Sequence, residues 1–507
     1  MLVDFRPIGR LRGAKPVDVT AALGPVISAL AQDSVDLSRV RLVCDWVQYR
    51  SNFRDIVDLR QILAGENEGG GADSAPPPLA AASTHDEMEV AIDVRRCGDV
   101  ALGELTGELI RGRFATADPA RLYLEPWLAT RASVIWEFNS LYWKALDQWE
   151  QATGNRYEQA LPGGQSDARN ADAVREIITT LFALWDSLAE RNALPDELYV
   201  VELGVGNGGQ AKTWLDEFVT LDHDHGKDYY RRLHYLMCDY SPHVLEVART
   251  AVASHAEHIS SVVLDATQPR TALGFLRYKV FLVYISNVYD NLPTDEVAQI
   301  GGRTYLVQSR AYLPADAATE LGKLVSTPQK HIQPDGVPEL IRKLLLLGPG
   351  LLAEALPEHF PAVEAAVDFW RRSWAAVRLE ERYLPLGGLD LYRIAPTVSG
   401  EMLRPLLESG ADIRMHVNNG AVASFVDTVP LLHPYGRLIC HDLFVTDVHA
   451  YRTGFRGPGK YDGSIVNWVN GPLLAHIGRR KGLDVVYEQF AHRTGTNIVT
   501  MTAQVRD

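Results

Sequence analysis

Residues Val200–Gly209 read VVELGVGNGG. A β-branched run leads into one acidic residue, Glu202, and then into Gly204, Gly206 and Gly208. Glycine at alternate positions lets a chain leave a strand in a sharp turn and lets a ligand approach the backbone closely. The pattern repeats on the C-terminal side. QAKTWLDEFVTL (210–221) reads as a helix, and RLHYLMCDYSP (232–242) as a strand ending at Asp239. HVLEVARTAVASH (243–255) reads as a helix, and ISSVVLDAT (259–267) as a strand ending at Asp265. YKVFLVYISNVYDNLP (278–293) gives a further strand. Strands alternating with helices predict βαβ units and a parallel sheet, an α/β fold.

Two ligand chemistries fit the glycines. Gly204, Gly206 and Gly209 match G-x-G-x-x-G, the dinucleotide fingerprint in which a pyrophosphate meets a helix N-terminus. A carboxylate inside the motif repels a pyrophosphate and suits a cationic ligand, so Glu202 favours the E-x-G-x-G-x-G form of the first motif of class I S-adenosylmethionine-dependent methyltransferases. On that reading Glu202, Gly204, Gly206 and Gly208 receive the ligand, Asp239 accepts its ribose hydroxyls, Asp265 reads the adenine where it does not merely cap a helix or turn, and Ser286 joins them from the fourth strand. In a doubly wound sheet ligands bind beyond the carboxyl ends of the strands. Asn287, Tyr289 and Asp290 then stand at the methyl acceptor, with Asp290 as the orienting carboxylate; the other reading of Asn287 and Asp290 is a cap on a helix begun at Pro293. Asp442 or His441 could reach the same cleft from the fifth strand, although histidine there is more often a core residue.

Several segments together resemble the MidA-like family of S-adenosylmethionine-dependent methyltransferases, whose mitochondrial members dimethylate a protein arginine. VELGVGNGG resembles its glycine motif, LHYLMCDYSPHVLEVA its second strand, and SNVYDNLP its Asn-Glu-x-x-Asp-Ala-Leu-Pro element. GRLICHDLF and YDGSIVNWVNGPLLAHIGRRKGL resemble its Asp-Tyr-Gly strand and Asp-Ile-Thr-x-His-Val segment. The Asn-Glu pair falls on Ser286 and Asn287, Asp-Tyr-Gly becomes Asp442-Leu443-Phe444, and Asp462 and Asn467 stand near the last element's Asp and His. The resemblance implies S-adenosylmethionine as cofactor and methyl transfer to a nitrogen or oxygen acceptor, a protein arginine or a small molecule. A catalytically inactive methyltransferase-fold scaffold or assembly factor is the alternative.

The rest of the 507 residues frames this sheet. Residues 1–83 read as a β-containing segment ending in a Gly/Pro/Ala-rich linker, and 84–195 as a helical region. RASVIWEFNSLYWKALDQWEQATG (131–154) carries apolar residues at helical spacing, with Trp136, Trp143 and Trp149 near the stripe. Residues 196–300 form the cofactor-binding half, 301–410 a helical insertion, and 411–507 the remainder of the Rossmann-like domain, closed by an antiparallel hairpin. Fifty Lys+Arg against 64 Asp+Glu give a net charge of −14, which disfavours a general nucleic-acid binder. The four cysteines form no CxxC pair, so neither a disulfide framework nor a metal site is expected. No apolar run reaches about 18 residues, and no signal-peptide core is present; a cytoplasmic protein without a membrane partner is expected. The sequence leaves the oligomeric state open.

Overall fold

The computed structural model describes residues 2–5, 19–33, 35–64, 87–98, 100–114, 120–157, 170–325, 331–408, 412–452 and 457–506. The Gly/Pro/Ala-rich stretch 65–83 lies outside the described residues.

The N-terminal strands are β1 (Leu2–Phe5), β2 (Val40–Asp45), β3 (Val57–Ile62) and β4 (Glu87–Asp93), followed by the short β5 (Arg121–Tyr123) and β6 (Leu128–Ala129). Then come helices α1 (Val134–Lys144), α2 (Leu146–Thr153) and α3 (Ala171–Glu190). The alternating part follows: β7 (Leu198–Leu203), α4 (Gly209–Asp224), β8 (Leu233–Asp239), α5 (Pro242–Ala251), β9 (Ile259–Val263) and β10 (Val280–Ser286). After β10 the chain does not enter a helix at Pro293. It makes one 3-10 turn at Tyr289–Asn291 and runs into β11 (Asp295–Ile300) and β12 (Arg303–Pro314). Two helices, α6 (Val337–Ala355) and α7 (Val363–Ala376), precede β13 (Arg378–Pro385) and β14 (Ile413–Val417). The chain then returns through α8 (Asn419–Thr428), β15 (Leu432–Asp442), the hairpin β16 (Gly459–Tyr461) and β17 (Ser464–Val466), α9 (Gly471–Arg480), β18 (Leu483–Gln489) and β19 (Val499–Val505).

One sheet has the order β18-β19-β15-β10-β7-β8-β9. Its β15-β10-β7-β8-β9 part is parallel, and β19 runs antiparallel to both β15 and β18. Both faces are covered, as a parallel sheet requires. Val201, Leu203, Leu236, Val283, Ile285 and Leu438 pack on one face with Ala421 and Phe425 of α8 and Leu473 and Ile477 of α9. Val200, Tyr235, Met237, Leu282 and Tyr284 pack on the other with Trp185 of α3 and Trp214 and Phe218 of α4.

The second sheet is the main departure from expectation. Its order is β1-β2-β4-β3-β13-β12-β11-β14, with β5 and β6 also paired to β12. Residues 301–410, expected to be a helical insertion, therefore supply two long strands, and 84–195 supplies β4, β5 and β6. The physical reason is a buried charge network that hides the strand signal. Arg60 meets Glu381 at 2.9 Å and Glu89 at 2.8 Å. Arg414 meets Glu381 at 2.8 Å and also pairs with Glu296. Arg54 meets Asp45 at 3.1 Å and Glu381 at 3.4 Å. All of these side chains are buried. The pairing ties strands from residues 40–93 to strands from residues 295–417. Among the described residues no helix is long and apolar enough to cross a membrane.

Candidate active site

The three glycines after β7 have left-handed φ values of +77°, +56° and +78°, a conformation that L side chains rarely adopt. They do different work. A Cβ on Gly204 would strike the Val288 side chain, and one on Gly206 would lie 2.5 Å from the Tyr157 hydroxyl. A Cβ on Gly208 would lie 2.7 Å from Ala248 Cα, so Gly208 serves the close packing of α4 on α5.

Asp239, at the end of β8, braces the same loop. Its Oδ2 accepts the Gly206 N–H at 3.2 Å and its Oδ1 the Ser241 N–H at 3.1 Å. Burial raises its pKa above the ordinary carboxylate value, against the lowering effect of the Ser241, Gly206 and Tyr240 N–H groups. Glu202 is buried and accepts the Tyr235 hydroxyl at 2.7 Å. Asp265, after β9, accepts the Thr267 N–H and hydroxyl on Oδ1, both at 2.8 Å.

β10 ends at Ser286, and Asn287 follows with φ +53° and its N–H on the His441 carbonyl at 2.9 Å. Asp290 is 5% exposed, and its carboxyl hydrogen-bonds that of the fully buried Asp442. Asp442 accepts the Tyr289 N–H at 2.8 Å and the Leu443 N–H at 2.7 Å. Asp290 accepts the Asn291 side-chain N–H at 2.8 Å. Two carboxyls so placed share a proton, because burial and mutual repulsion disfavour two charges. Burial followed by the Asp442 charge pushes the Asp290 pKa well above the ordinary value; burial pushes Asp442 only up to about 6, held back by backbone N–H groups. Both carboxyls are raised, so the extra proton belongs to the pair.

A single cavity of about 740 Å³ gathers Glu202, Gly204, Gly206, Asp239, Asp265, Ser286, Asn287 and Asp290 in its lining. Neither Gly208 nor Tyr289 lines it. Tyr289 was expected beside the acceptor, but its ring is 0% exposed and packs in the core under α8. His441 and Asp442 also stay outside the lining. The His441 Nδ1 meets the Thr500 hydroxyl at 2.9 Å, and burial lowers its pKa to about 4, so it is a neutral core residue. Asp462 faces the helices instead, its Oδ2 accepting the Tyr142 hydroxyl at 2.9 Å and the Trp149 indole N–H at 3.0 Å.

The remaining walls come from residues the sequence did not single out for the site. Trp136, Asn139 and Trp143 project from α1, and Trp468 and the β16–β17 hairpin face them. Asn139 clips two walls together, donating to the Asn291 carbonyl and accepting the Ile465 N–H, both at 2.9 Å. A buried asparagine flanked by Phe138, Leu141 and Tyr142 was the available signal. Tyr157 covers the glycine loop, and Gln210 of α4 enters the lining from the first turn of its helix. Arg493 is the one Lys or Arg among the described lining residues, against four carboxyl groups.

A scan against protein-family models and a search of the curated proteins give no match. Solved structures do match, at low identity. A protein from Burkholderia thailandensis bound to S-adenosyl-homocysteine is 13% identical, with 75% of this chain and 88% of that chain covered and a TM-score of 0.44. The CcbJ methyltransferase from Streptomyces caelestis is 11% identical, with 73% and 99% covered and a TM-score of 0.31. An O-methyltransferase family protein from Burkholderia thailandensis is 9% identical, with 72% and 64% covered and a TM-score of 0.27.

Proposed function

We propose that this chain is an S-adenosylmethionine-dependent methyltransferase of class I architecture acting on a small acceptor through nitrogen or oxygen. The observation that carries this reading is the strand order β18-β19-β15-β10-β7-β8-β9 with a glycine turn after β7 and carboxyls after β8 and β9, all opening on one cavity. The residues present fit the cofactor. Gly204 and Gly206 line the cavity in a left-handed turn that only glycine adopts readily, Asp239 offers an acceptor for a ribose diol, and Glu202 offers a carboxyl near the loop for an ammonium group.

The cofactor, when bound, supplies an electrophilic methyl group on a sulfonium. The chain's own part is to align the acceptor with that methyl and to exclude water. A cavity of about 740 Å³ lies within the size range of small-molecule sites. The rings of Tyr49, Trp136, Trp143, Tyr461 and Trp468 in its lining suit a flat, apolar acceptor. A guanidinium acceptor would call for an ionised carboxylate to grip it. Asp290 is buried against Asp442 in a pair that resists carrying two charges, and Asp462 is bound to Tyr142 and Trp149. The acceptor side therefore favours a neutral small molecule over a protein arginine.

Thermal unfolding with S-adenosylmethionine, S-adenosylhomocysteine, NAD and NADP tests the reading. Ligand at a hundred times its dissociation constant adds about 2.7 kcal/mol to the native state. A raised midpoint with the first two alone is expected; a rise with NAD or NADP alone would overturn the assignment.

A further inference from the structure

Gln210 is 8% exposed, lines the cavity, and has neither its Oε1 nor its Nε2 hydrogen-bonded. Among the described residues it is the one side chain with two such atoms. Burying both ends of an amide unpaired is unfavourable, and native structures seldom do so without a partner arriving from elsewhere. Asn291 also presents a buried, unpartnered Oδ1 to this cavity, but it spends its Nδ2 on Asp290.

The position of Gln210 selects the partner. The strand ends lie side by side in the order β9, β8, β7, β10. With the adenine at Asp265 beyond β9 and the ribose at Asp239 beyond β8, the other end of the ligand falls beyond β7. Gln210 is the second residue of α4, the sixteen-residue helix that follows β7. A group there that takes one hydrogen bond and gives another matches both ends of the amide. An α-amino acid does this, with a carboxylate to accept and an ammonium to donate. The N-terminus of α4 favours the carboxylate, and the Glu202 carboxyl in the same lining favours the ammonium.

We propose that Gln210 reads the amino-acid end of the bound cofactor, its Nε2 donating to the carboxylate and its Oε1 accepting from the ammonium. This rests on the cofactor assignment above. It makes Gln210 the residue by which the site tells a cofactor carrying a zwitterionic tail from a bare nucleoside thioether.

The test is equilibrium titration of wild type, Gln210→Leu and Gln210→Met with two probes. S-Adenosylhomocysteine carries the amino-acid end; 5′-methylthioadenosine has the same nucleoside without it. Both variants should bind S-adenosylhomocysteine about tenfold to a hundredfold more weakly, the loss of one or two hydrogen bonds to charged groups. Their affinity for 5′-methylthioadenosine should match wild type. Without ligand, their unfolding midpoints should equal or exceed that of wild type, because a costly buried amide is gone. A purely structural glutamine would lower the midpoint and leave the ratio of the two affinities unchanged. That result would overturn the inference, as would unchanged binding of S-adenosylhomocysteine or failure of both variants to fold. Wild type binding neither probe would instead overturn the cofactor assignment, and this inference with it.

Discussion

The Tyr157 hydroxyl accepts the Asn207 N–H at 3.3 Å and lies 2.5 Å from where a Cβ on Gly206 would stand. A ring from outside the parallel sheet thus packs over the glycine turn that follows β7. Trp143 packs against that ring edge-on, with centroids 5.7 Å apart, which links the loop to the helical wall of the cavity.

This contact predicts an energetic coupling. Gly206→Ala should destabilise the protein by about 1–3 kcal/mol, from the left-handed φ and the collision with the hydroxyl. Tyr157→Phe removes the atom that collides. In a double-mutant cycle by urea unfolding, the pair should be coupled by more than about 0.5 kcal/mol, with the tyrosine change partly rescuing the alanine. Strict additivity would show that the two residues do not meet.

The proposed cofactor site gives Asp239 a second duty beside bracing the glycine loop. Asp239→Ala removes the acceptor for the Gly206 N–H and, on that proposal, the acceptor for the ribose. It should weaken S-adenosylhomocysteine binding by more than tenfold. Asp239→Asn keeps one acceptor oxygen and should fall between wild type and alanine. Calorimetric titration of the three proteins checks the order.

The carboxyl pair makes stability depend on pH. In the unfolded chain Asp290 ionises near pH 4; in the folded chain burial and Asp442 keep it protonated well above that. The native state therefore holds the extra proton, and its contribution is greatest at low pH and falls as pH rises. Asp442 joins this loss only up to about pH 6. Between pH 6 and 8, wild type should lose roughly 1 kcal/mol per pH unit relative to Asp290→Asn, which keeps a donor toward Asp442 but has nothing to ionise. Urea denaturation across that range gives the comparison; parallel curves would mean Asp290 is already ionised.

Glu381 is the shared partner of Arg54, Arg60 and Arg414. Those three charges draw its carboxyl below the ordinary range despite burial. Removing it leaves buried arginines short of a counter-charge, which typically costs 3–5 kcal/mol. Glu381→Leu should lower the unfolding midpoint more than the exposed-pair change Glu320→Ala, as circular dichroism would show.

The parallel sheet could be read from sequence because its signals are local. β7 and β8 are largely apolar runs that close on a glycine or an acid, β9 ends two residues before Asp265, and β18 and β19 flank a turn rich in glycine and threonine. The second sheet could not be read in that way. β13 carries Arg378, Glu380, Glu381 and Arg382, and β12 carries Arg310, charges that look like a solvated surface until Arg54, Arg60 and Arg414 meet Glu381 and Arg121 and Arg310 meet Glu380. Likewise the strand-end carboxyls and glycines stood out, whereas Asn139 and Tyr157 matter through contacts between distant segments and Gln210 through the burial of an unpaired amide, neither of which a local pattern carries. Tyr289 misled because a polar ring next to a site was read as facing it, while the turn at Tyr289–Asn291 points it into the core.

The central claim is that this cavity holds S-adenosylmethionine. Calorimetric titration of the purified chain with S-adenosylhomocysteine tests it most directly, with Asp239→Ala as the paired control. The account predicts saturable one-to-one binding by wild type that is weakened more than tenfold in the variant. No binding by a folded wild-type chain, or equal binding by both proteins, would contradict it.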